Sequence, residues 1–182
     1  PRWRVFFNLL GAFYKNNPVR IDIAGTLESI AQINKDILYK CYNTFYHPSN
    51  MVICVVGDVD HTSVFEQVEK SIKTSGKMPE VKRIFPDEPD MINKNYTEQN
   101  LSVSMPLFQM GFRDMRFNSK GIDCLKRETA VKLLLEMVMG RSSELYNRLY
   151  EEGLINNSFD FDYTIEENYA FSVFGGESRD PV

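Results

Sequence analysis

The stretch FYHPSNMVICVVGDVD, residues 45–60, says more about the fold than any other part of the sequence. Its centre, Met51–Val56, is an unbroken apolar run of strand length that is rich in β-branched residues. Such runs are typical of strands that are buried on both faces, so we predict a central strand here. Gly57 and Asp58 predict a turn after it, and Asp60 is placed to cap the next helix.

Helical spacing dominates the residues before this stretch. From Trp3 to Tyr14 apolar residues recur at helical intervals, and the Asn-Asn-Pro sequence that follows ends the predicted helix. Thr26 and Asn34 are suited to cap two further helices. One apolar stripe runs across both of these helices and consists of Ile30, Ile33, Ile37, Cys41 and Phe45. We therefore predict helices that bury one face in a core.

The character of the sequence changes between Gly76 and about Asn100. Prolines lie among charged residues there, and no apolar periodicity persists. A structureless stretch of this length is unusual within one compact domain, so it predicts a linker. We therefore predict three parts: residues 1–75 as the C-terminal part of one half-module, 76–100 as the linker, and 101–182 as the N-terminal part of a second half-module.

The second half-module contains strands and helices in alternation. Alternating apolar residues from Leu101 to Phe112 predict a strand with a break at Pro106. Helices are expected over 125–139 and 144–152, and alternation over 159–165 and 169–173 predicts an antiparallel hairpin. The predicted fold class is α+β, an antiparallel sheet with helices packed on one face.

Composition and charge exclude several classes of protein. The formal net charge is −4 and the 21 basic residues are scattered among 25 acidic ones, which argues against nucleic acid as a partner. No apolar run is long enough to span a bilayer, so no membrane association is expected. The three cysteines are odd in number and irregularly spaced. Reduced thiols in a cytoplasmic protein are the expected interpretation.

The residues that could bind zinc do not form a catalytic pattern. Catalytic zinc needs three protein ligands, usually including two histidines on one helix. His47 and His61 are the only histidines, and neither H-E-x-x-H nor H-x-x-E-H occurs. A mixed site with Cys41 and Cys54 is conceivable, but the predicted strand and helix would scatter those side chains. We predict no metal site and no catalytic residue in this chain.

Two other patterns have structural interpretations that we prefer. Asp160 and Asp162 fall on one face of a predicted strand, about 6.5–7 Å apart by strand rise, which is a spacing found between glycosidase carboxylates. No other glycosidase feature accompanies them, so a solvated strand face is the preferred interpretation. Gly175-Gly176 lacks the Lys-Ser/Thr of a phosphate loop and is interpreted as a turn at a strand end.

Several motifs resemble those of one family, the insulinase or pitrilysin-like zinc peptidases. The segment 20–30, RIDIAGTLESI, resembles the family's I-x-G-x-x-x-x-I, and residues 45–60 resemble its F-Y-x-P-x-N-M followed by V-V-x-G-D-V-D. Residues 140–146, GRSSELY, resemble G-x-S-S-x-L-[YF], and residues 151–154 resemble E-x-G-L. The bacterial branch that is similar to the mitochondrial processing peptidase matches best.

The resemblance implies a fold and a place for the chemistry. It implies half-modules like those of LuxS and the mitochondrial processing peptidase, both incomplete here, which enclose a peptide in a chamber. It places H-x-x-E-H and a third zinc ligand before Pro1. The family's substrate-contacting Arg and Tyr fall on Tyr150 and Asn156 in this sequence. Arg148, nearby but out of register, is the candidate substrate-binding residue.

Three functions remain open at this point, and two of them are favoured. The chain is expected to be a piece of a longer zinc metalloendopeptidase that hydrolyses peptides, with zinc in the parent protein and none in the piece. The alternative is a non-catalytic homologous subunit or scaffold that partners an active peptidase. The expected partners are a peptide substrate and either the missing modules of the parent or a homologous subunit. A self-contained thiol or metal enzyme is a third, less favoured possibility. Alone, the piece is expected to be inactive and to self-associate through exposed sheet edges.

Overall fold

A computed structural model describes residues 1–73, 81–115 and 120–181. The described residues form six α-helices, which are α1 Arg2–Phe13, α2 Leu27–Ala31, α3 Lys35–Phe45, α4 His61–Ser71, α5 Ile122–Met139 and α6 Glu144–Glu151. They also form three strands, which are β1 Leu107–Arg113, β2 Asp160–Ile165 and β3 Ala170–Glu177. Short 3-10 turns lie at Pro18–Arg20 and Pro48–Asn50.

The three strands form one antiparallel sheet with β3 at its centre, in the order β1-β3-β2. β2 and β3 form the predicted hairpin, closed by a hydrogen bond from Glu166 N–H to the Tyr169 carbonyl at 2.8 Å. β1 begins only after Pro106, because proline has no N–H to donate to the ladder. The predicted class, α+β with an antiparallel sheet, is confirmed.

Two compact units divide the chain: residues 1–23 with 85–182 form unit 1, and residues 24–84 form unit 2. Unit 1 contains the sheet and has helices on both of its faces, whereas the sequence predicted helices on one face. Neighbouring residues of a strand point to opposite faces. Phe171 of β3 packs with α1, and Ala170, one residue earlier, lies in a cluster with α5. The second covering helix is α1, which lies about 90 residues before the sheet in sequence and therefore gave no local signal of its position.

The α1 face is a core of aromatic and aliphatic side chains. Leu9, Leu10, Phe13 and Tyr14 are buried against Phe171. The Tyr14 hydroxyl donates to the Ala170 carbonyl at 3.1 Å, so the helix end is bonded to the central strand as well as packed on it. Helix α1 thus depends on residues more than 150 positions away.

The predicted linker also takes part in unit 1. Residues 76–80 lie outside the described residues, but Glu88 accepts hydrogen bonds from the backbone N–H groups of Lys15, Asn16 and Asn17 at 2.6, 2.7 and 2.5 Å. Its carboxylate also lies 3.8 Å from Arg113 at the end of β1. Glu88 therefore connects the end of α1 to the end of β1, and the division into two half-modules and a linker stays a prediction.

Unit 2 has well-formed helix ends but no buried residue among those described. Thr26 and Ser29 form a capping box, Asn34 caps α3, and Asp60 caps α4, as the sequence predicted. The predicted buried strand at Met51–Val56 was wrong for the described chain: the segment lies in no sheet and is exposed. No described strand pairs with it, and an unpaired segment has nothing to be buried against.

Candidate functional site

Arg148 lies on the solvent side of α6. The helix is capped at Ser143, whose hydroxyl accepts from the Tyr146 N–H at 3.1 Å. Tyr146 is buried and packs edge-on against Phe159, which fixes the inner face of the helix. Arg148 is exposed, and its guanidinium has no hydrogen-bond or ion-pair partner in the part of the chain that the structure describes. It is therefore free to reach a ligand.

The two positions that resemble the family's Arg and Tyr are Tyr150, in the last turn of α6, and Asn156, a few residues after the helix. Gly153 ends the helix with a φ of 71°, a left-handed conformation that favours glycine. Tyr150 is partly exposed and stacks on Tyr146. Asn156 donates from Nδ2 to Glu177 at 3.2 Å and accepts from the Ser158 N–H at 2.8 Å. These two hydrogen bonds hold the Asn156 side chain at the sheet edge.

An apolar pocket of about 310 Å³ lies beside α6, between the helix and the sheet. Most of its lining is apolar, including Met110, Leu145, Leu149, Phe159 and Phe174. No described carboxylate but Asp180, and neither histidine, reaches it. Arg148 is not among its lining residues. The pocket can accommodate apolar side chains, and the polar groups of its lining belong to Tyr146, Ser178 and Asp180.

Asp160 and Asp162 share one sheet face, as strand alternation predicts. They line a second pocket of about 210 Å³, together with Gln109 and Gly175. Gly175 is required there because a Cβ would lie 2.2 Å from the Phe108 carbonyl oxygen. Asp162 pairs with Lys132 at 3.3 Å, and Asp160 accepts from the Phe161 N–H at 2.9 Å. Both carboxylates are held by local partners, which agrees with a structural interpretation.

The candidate metal ligands do not converge. His47 uses Nδ1 to accept from the Ser49 N–H at 3.2 Å and lies 2.8 Å from the Ser49 hydroxyl, so it holds a local turn. His61 begins α4, and Cys41 and Cys54 are exposed thiols. Among the described residues, no group of three or more His, Cys, Asp or Glu could hold a metal ion. These residues do not fit a zinc centre.

Two clusters that sequence reasoning missed are built around acidic residues in unit 1. Asp114 accepts from Arg127 at 2.6 Å and from the Tyr163 hydroxyl at 2.8 Å. Burial of the phenol and its bond to Asp114 raise the pKa of Tyr163 to about 12. Tyr163 is also part of the core against α5. The neutral phenol and the ion pair together connect the end of β1 to α5 and β2, which is a structural role.

The second cluster is centred on Glu88. Burial opposes its ionisation, but three backbone N–H groups and Arg113 outweigh that effect and hold the pKa of Glu88 below its ordinary value. Arg113 also lies over the Tyr14 ring at 5.0 Å. Burial raises the pKa of Tyr14 well above its ordinary value, so the ring stays neutral beside the carboxylate. No sequence pattern links residues 14, 88 and 113, so only the fold reveals this cluster.

In the described part of the chain, no helix has the length and apolarity needed to cross a membrane.

Comparison with known proteins identifies the family. The family model described as "Peptidase M16 inactive domain" matches residues 32–180. The chain is 41% identical over its whole length to a Bacillus subtilis protein named as the uncharacterized zinc protease YmfH, and spans 43% of that protein. It is 26% identical to the uncharacterized zinc protease YmxG of the same organism, over 91% of the chain and 38% of that protein.

A further relative and a solved structure agree. Over 36% of the chain and 15% of the relative, identity to the beta subunit of the mitochondrial-processing peptidase of Caenorhabditis elegans is 37%. A crystal structure from Alicyclobacillus acidocaldarius, described as M16-like peptidase, matches all of the chain and 43% of its own length with a TM-score of 0.90 and 34% identity. The chain spans less than half of these longer relatives, and it belongs to the M16 peptidase family.

Proposed function

We propose that the chain is part of a zinc-dependent metalloendopeptidase and supplies scaffold and one wall of a peptide chamber rather than the zinc site. The observation that carries this proposal is the likeness of the whole chain to less than half of a protein named as a zinc protease. The described histidines and cysteines do not fit a zinc centre, so the metal would be held by residues elsewhere in the parent. When bound there, zinc would activate the attacking water and polarise the peptide carbonyl.

Arg148 is the proposed contact between this wall and the substrate. Its exposed, unpaired guanidinium can donate to a peptide carbonyl or a carboxylate. The apolar pocket beside α6 offers room for an apolar side chain. Because a guanidinium stays protonated, Arg148 would orient the peptide rather than exchange a proton during bond cleavage.

The test compares the parent protein with this chain. The parent is expected to contain about one zinc per copy and to cleave an unstructured peptide, since catalytic sites of this class bind one zinc with three protein ligands. The 182-residue chain alone is expected to do neither. Stoichiometric zinc in the isolated chain, lost on changing His47 or His61 to Ala, would contradict the proposal.

For Arg148 the test is kinetic. Arg148→Ala in the parent is expected to raise KM with little change in kcat, because a positioning contact is lost while the metal chemistry stays intact. Arg4→Ala removes another exposed arginine, from α1, and serves as the control, for which both constants are expected to stay unchanged. An unchanged KM in Arg148→Ala would remove Arg148 from the proposed site.

The second candidate function is a non-catalytic homologous subunit or scaffold that partners an active peptidase. The matched family model is described as an inactive domain, and the positions of the family's Arg and Tyr hold Tyr150 and Asn156. A parent that lacks zinc but restores cleavage when mixed with an active homologue would favour this alternative. In either case the partners would be a peptide substrate and the rest of the parent or a homologous subunit.

A cytoplasmic location is part of the same proposal. All three cysteines are free thiols, and two of them are exposed, which suits a reducing compartment. Recovery of the parent in the cytoplasmic fraction of its cell, with reduced thiols, is the expected result. Recovery outside the cytoplasm with these thiols oxidised would contradict it.

A further inference from the structure

Residues 87–94 bind the end of α1, and we call this segment the strap. The carbonyl of Gly11, in the last turn of the helix, accepts from the Asn93 side chain at 2.8 Å. The carbonyl of Ala12 accepts from the Lys94 N–H at 2.9 Å. The last carbonyls of a helix have no partner within it and need donors from elsewhere. The strap supplies two such donors from a part of the chain that lies 82 positions away.

The strap is held by polar contacts rather than by apolar packing. Met91 and Ile92 are 81% and 41% exposed, and within this described segment Glu88 is the only residue that is not exposed. Arg113 donates to the Pro89 carbonyl at 2.6 Å. Segments with little buried apolar surface are among the first parts of a fold to open. Closure of the strap therefore depends on its hydrogen bonds, above all on those of Glu88.

The Glu88 carboxylate lies among donors that converge on it. One oxygen accepts from the Lys15 N–H at 2.6 Å, and the other accepts from the N–H groups of Asn16 and Asn17 at 2.7 and 2.5 Å. The Arg113 guanidinium lies 3.8 Å away, and the side chains of this ion pair are only 8% and 9% exposed. Successive N–H groups that point to one spot bind anions, and a guanidinium pairs well with a carboxylate. The donors thus match both oxygens of one carboxylate.

These donors are also held by contacts outside the strap. Arg113 is the last residue of β1, and its guanidinium lies over the Tyr14 ring at 5.0 Å. Asn17 is 3% exposed, and its side chain donates to the Asn168 carbonyl at 3.3 Å. No backbone carbonyl of the described chain accepts from the N–H groups of residues 15–17. Opening of the strap would therefore leave the donors in place and without their carboxylate, which favours a replacement ligand.

We propose that the N–H groups of residues 15–17 and the Arg113 guanidinium form a carboxylate-binding site. The strap closes this site by inserting Glu88, and a small free carboxylate binds there when Glu88 is withdrawn or removed. Formate is the matching probe, because it has the two oxygens of the Glu88 carboxylate and adds almost no bulk. The site is independent of the proposed function, since all of its groups lie within the described chain.

The first test measures closure of the strap by trypsin cleavage after Lys94. In Glu88→Ala this cleavage is expected to be at least about fivefold faster than in the wild type, because the strap is open for more of the time. Cleavage after Arg83, which lies before the strap, is the internal reference. Asp87→Ala removes the same charge from the neighbouring, exposed residue and is expected to cleave like the wild type. Equal rates in the two variants would overturn the role of Glu88 in closing the strap.

The second test measures binding at the site by titration of Glu88→Ala with sodium formate. The backbone N–H resonances of residues 15–17 in NMR spectra are expected to move with formate and to saturate. Sodium chloride at equal ionic strength is expected not to reproduce the shifts. In Glu88→Gln the side-chain amide still fills the site, so the same resonances are expected to stay in place, as in the wild type. Equal formate shifts in all three proteins, or none in Glu88→Ala, would overturn the proposal.

A third measurement covers the case in which Glu88→Ala does not fold in dilute buffer. A ligand that binds only the folded chain stabilises it in proportion to its concentration. Formate is then expected to restore the helical circular dichroism of Glu88→Ala, and sodium chloride at equal ionic strength is expected not to. A failure of formate to restore the signal would overturn the proposal as well.

Discussion

The two units of this chain have equally good helix signals but very different burial. In unit 1, α1 buries Leu10 and Phe13 against the sheet and bonds to it through Tyr14. In unit 2, α3 has a better N-cap than α1, with Asn34 accepting from two backbone N–H groups at 3.0 Å, yet none of its residues is buried. Caps and amphipathic spacing determine where helices form, whereas burial depends on a sheet. Among the residues that the structure describes, only those of unit 1 form a sheet.

The largest expected difference between the units comes from truncating a core residue. Leu10 is 1% exposed, so Leu10→Ala is expected to cost about 2–5 kcal/mol of the free energy of unfolding. Ile37 is 43% exposed, and Ile37→Ala is expected to change that free energy by less than about 0.5 kcal/mol. Urea denaturation of the chain measures both. Similar losses in the two variants would mean that unit 2 has a core of its own.

Loss of the Glu88 carboxylate is expected to have the next largest effect. Glu88→Gln weakens its bonds to three backbone N–H groups and to Arg113, at a cost of about 1–3 kcal/mol. Glu69→Gln on the exposed surface of α4 is the control and is expected to have no measurable effect. Equal free energies of unfolding for the two variants in urea denaturation would show that the Glu88 carboxylate does not stabilise the fold.

The Glu88 contribution should also depend on pH in a defined direction. Its pKa is lowered in the folded chain from an ordinary value of 4.5. A lowered carboxyl pKa stabilises the fold fully above the unfolded value, and the stabilisation is lost as the pH falls through the folded value. The difference between wild type and Glu88→Gln is therefore expected to shrink below about pH 4.5. A difference that grows on acidification would contradict the assignment.

A smaller effect is expected at Tyr163. Tyr163→Phe removes the 2.8 Å hydrogen bond to Asp114 and keeps the ring, at a cost of about 1 kcal/mol. Tyr39→Phe in unit 2 removes the hydroxyl of an exposed ring and is expected to leave stability unchanged. Thermal unfolding compares the two. In an alkaline spectrophotometric titration, the wild type should also show one phenol that ionises near pH 12. That ionisation should be missing from Tyr163→Phe.

The smallest effect is expected from a helix cap in unit 2. Asn34→Ala removes the acceptor of two N–H groups at the start of α3, which typically costs about 1 kcal/mol of local helix stability. Because α3 is not packed on a core, this loss should appear as lower helix content in circular dichroism without a change in the main unfolding transition. A lower midpoint of that transition would show that α3 is coupled to unit 1.

Much of the local structure could be predicted from the sequence. Asn34 and Asp60 cap the helices expected of them, α6 forms within the predicted residues 144–152, and the hairpin forms where alternation predicted it. These features depend on hydrogen bonds within a few residues, so their signals lie within a few residues too. The family motifs were equally local, and the predicted family membership is confirmed.

The errors all concern contacts between distant residues. Met51–Val56 has the composition of a buried strand, but no described strand pairs with it. Composition indicates only that a segment is suited to a strand, and it does not show that a neighbouring strand is present. The Glu88 bonds to residues 15–17 span more than 70 positions, so no local pattern within the predicted linker, residues 76–100, indicates them. Near the candidate site, the hydrogen bond from Asn156 to Glu177 joins residues that are 21 positions apart. Alternation and spacing do not reveal such a contact.

Amide hydrogen exchange of the monomeric chain tests the central claim most directly. If unit 1 has a core and unit 2 lacks one, amides of α1 and of the central strand β3 should exchange slowly. Amides of residues 52–56 should exchange at rates close to those of an unfolded peptide. Protection of residues 52–56 equal to that of β3, in a chain shown to be monomeric, would contradict the account.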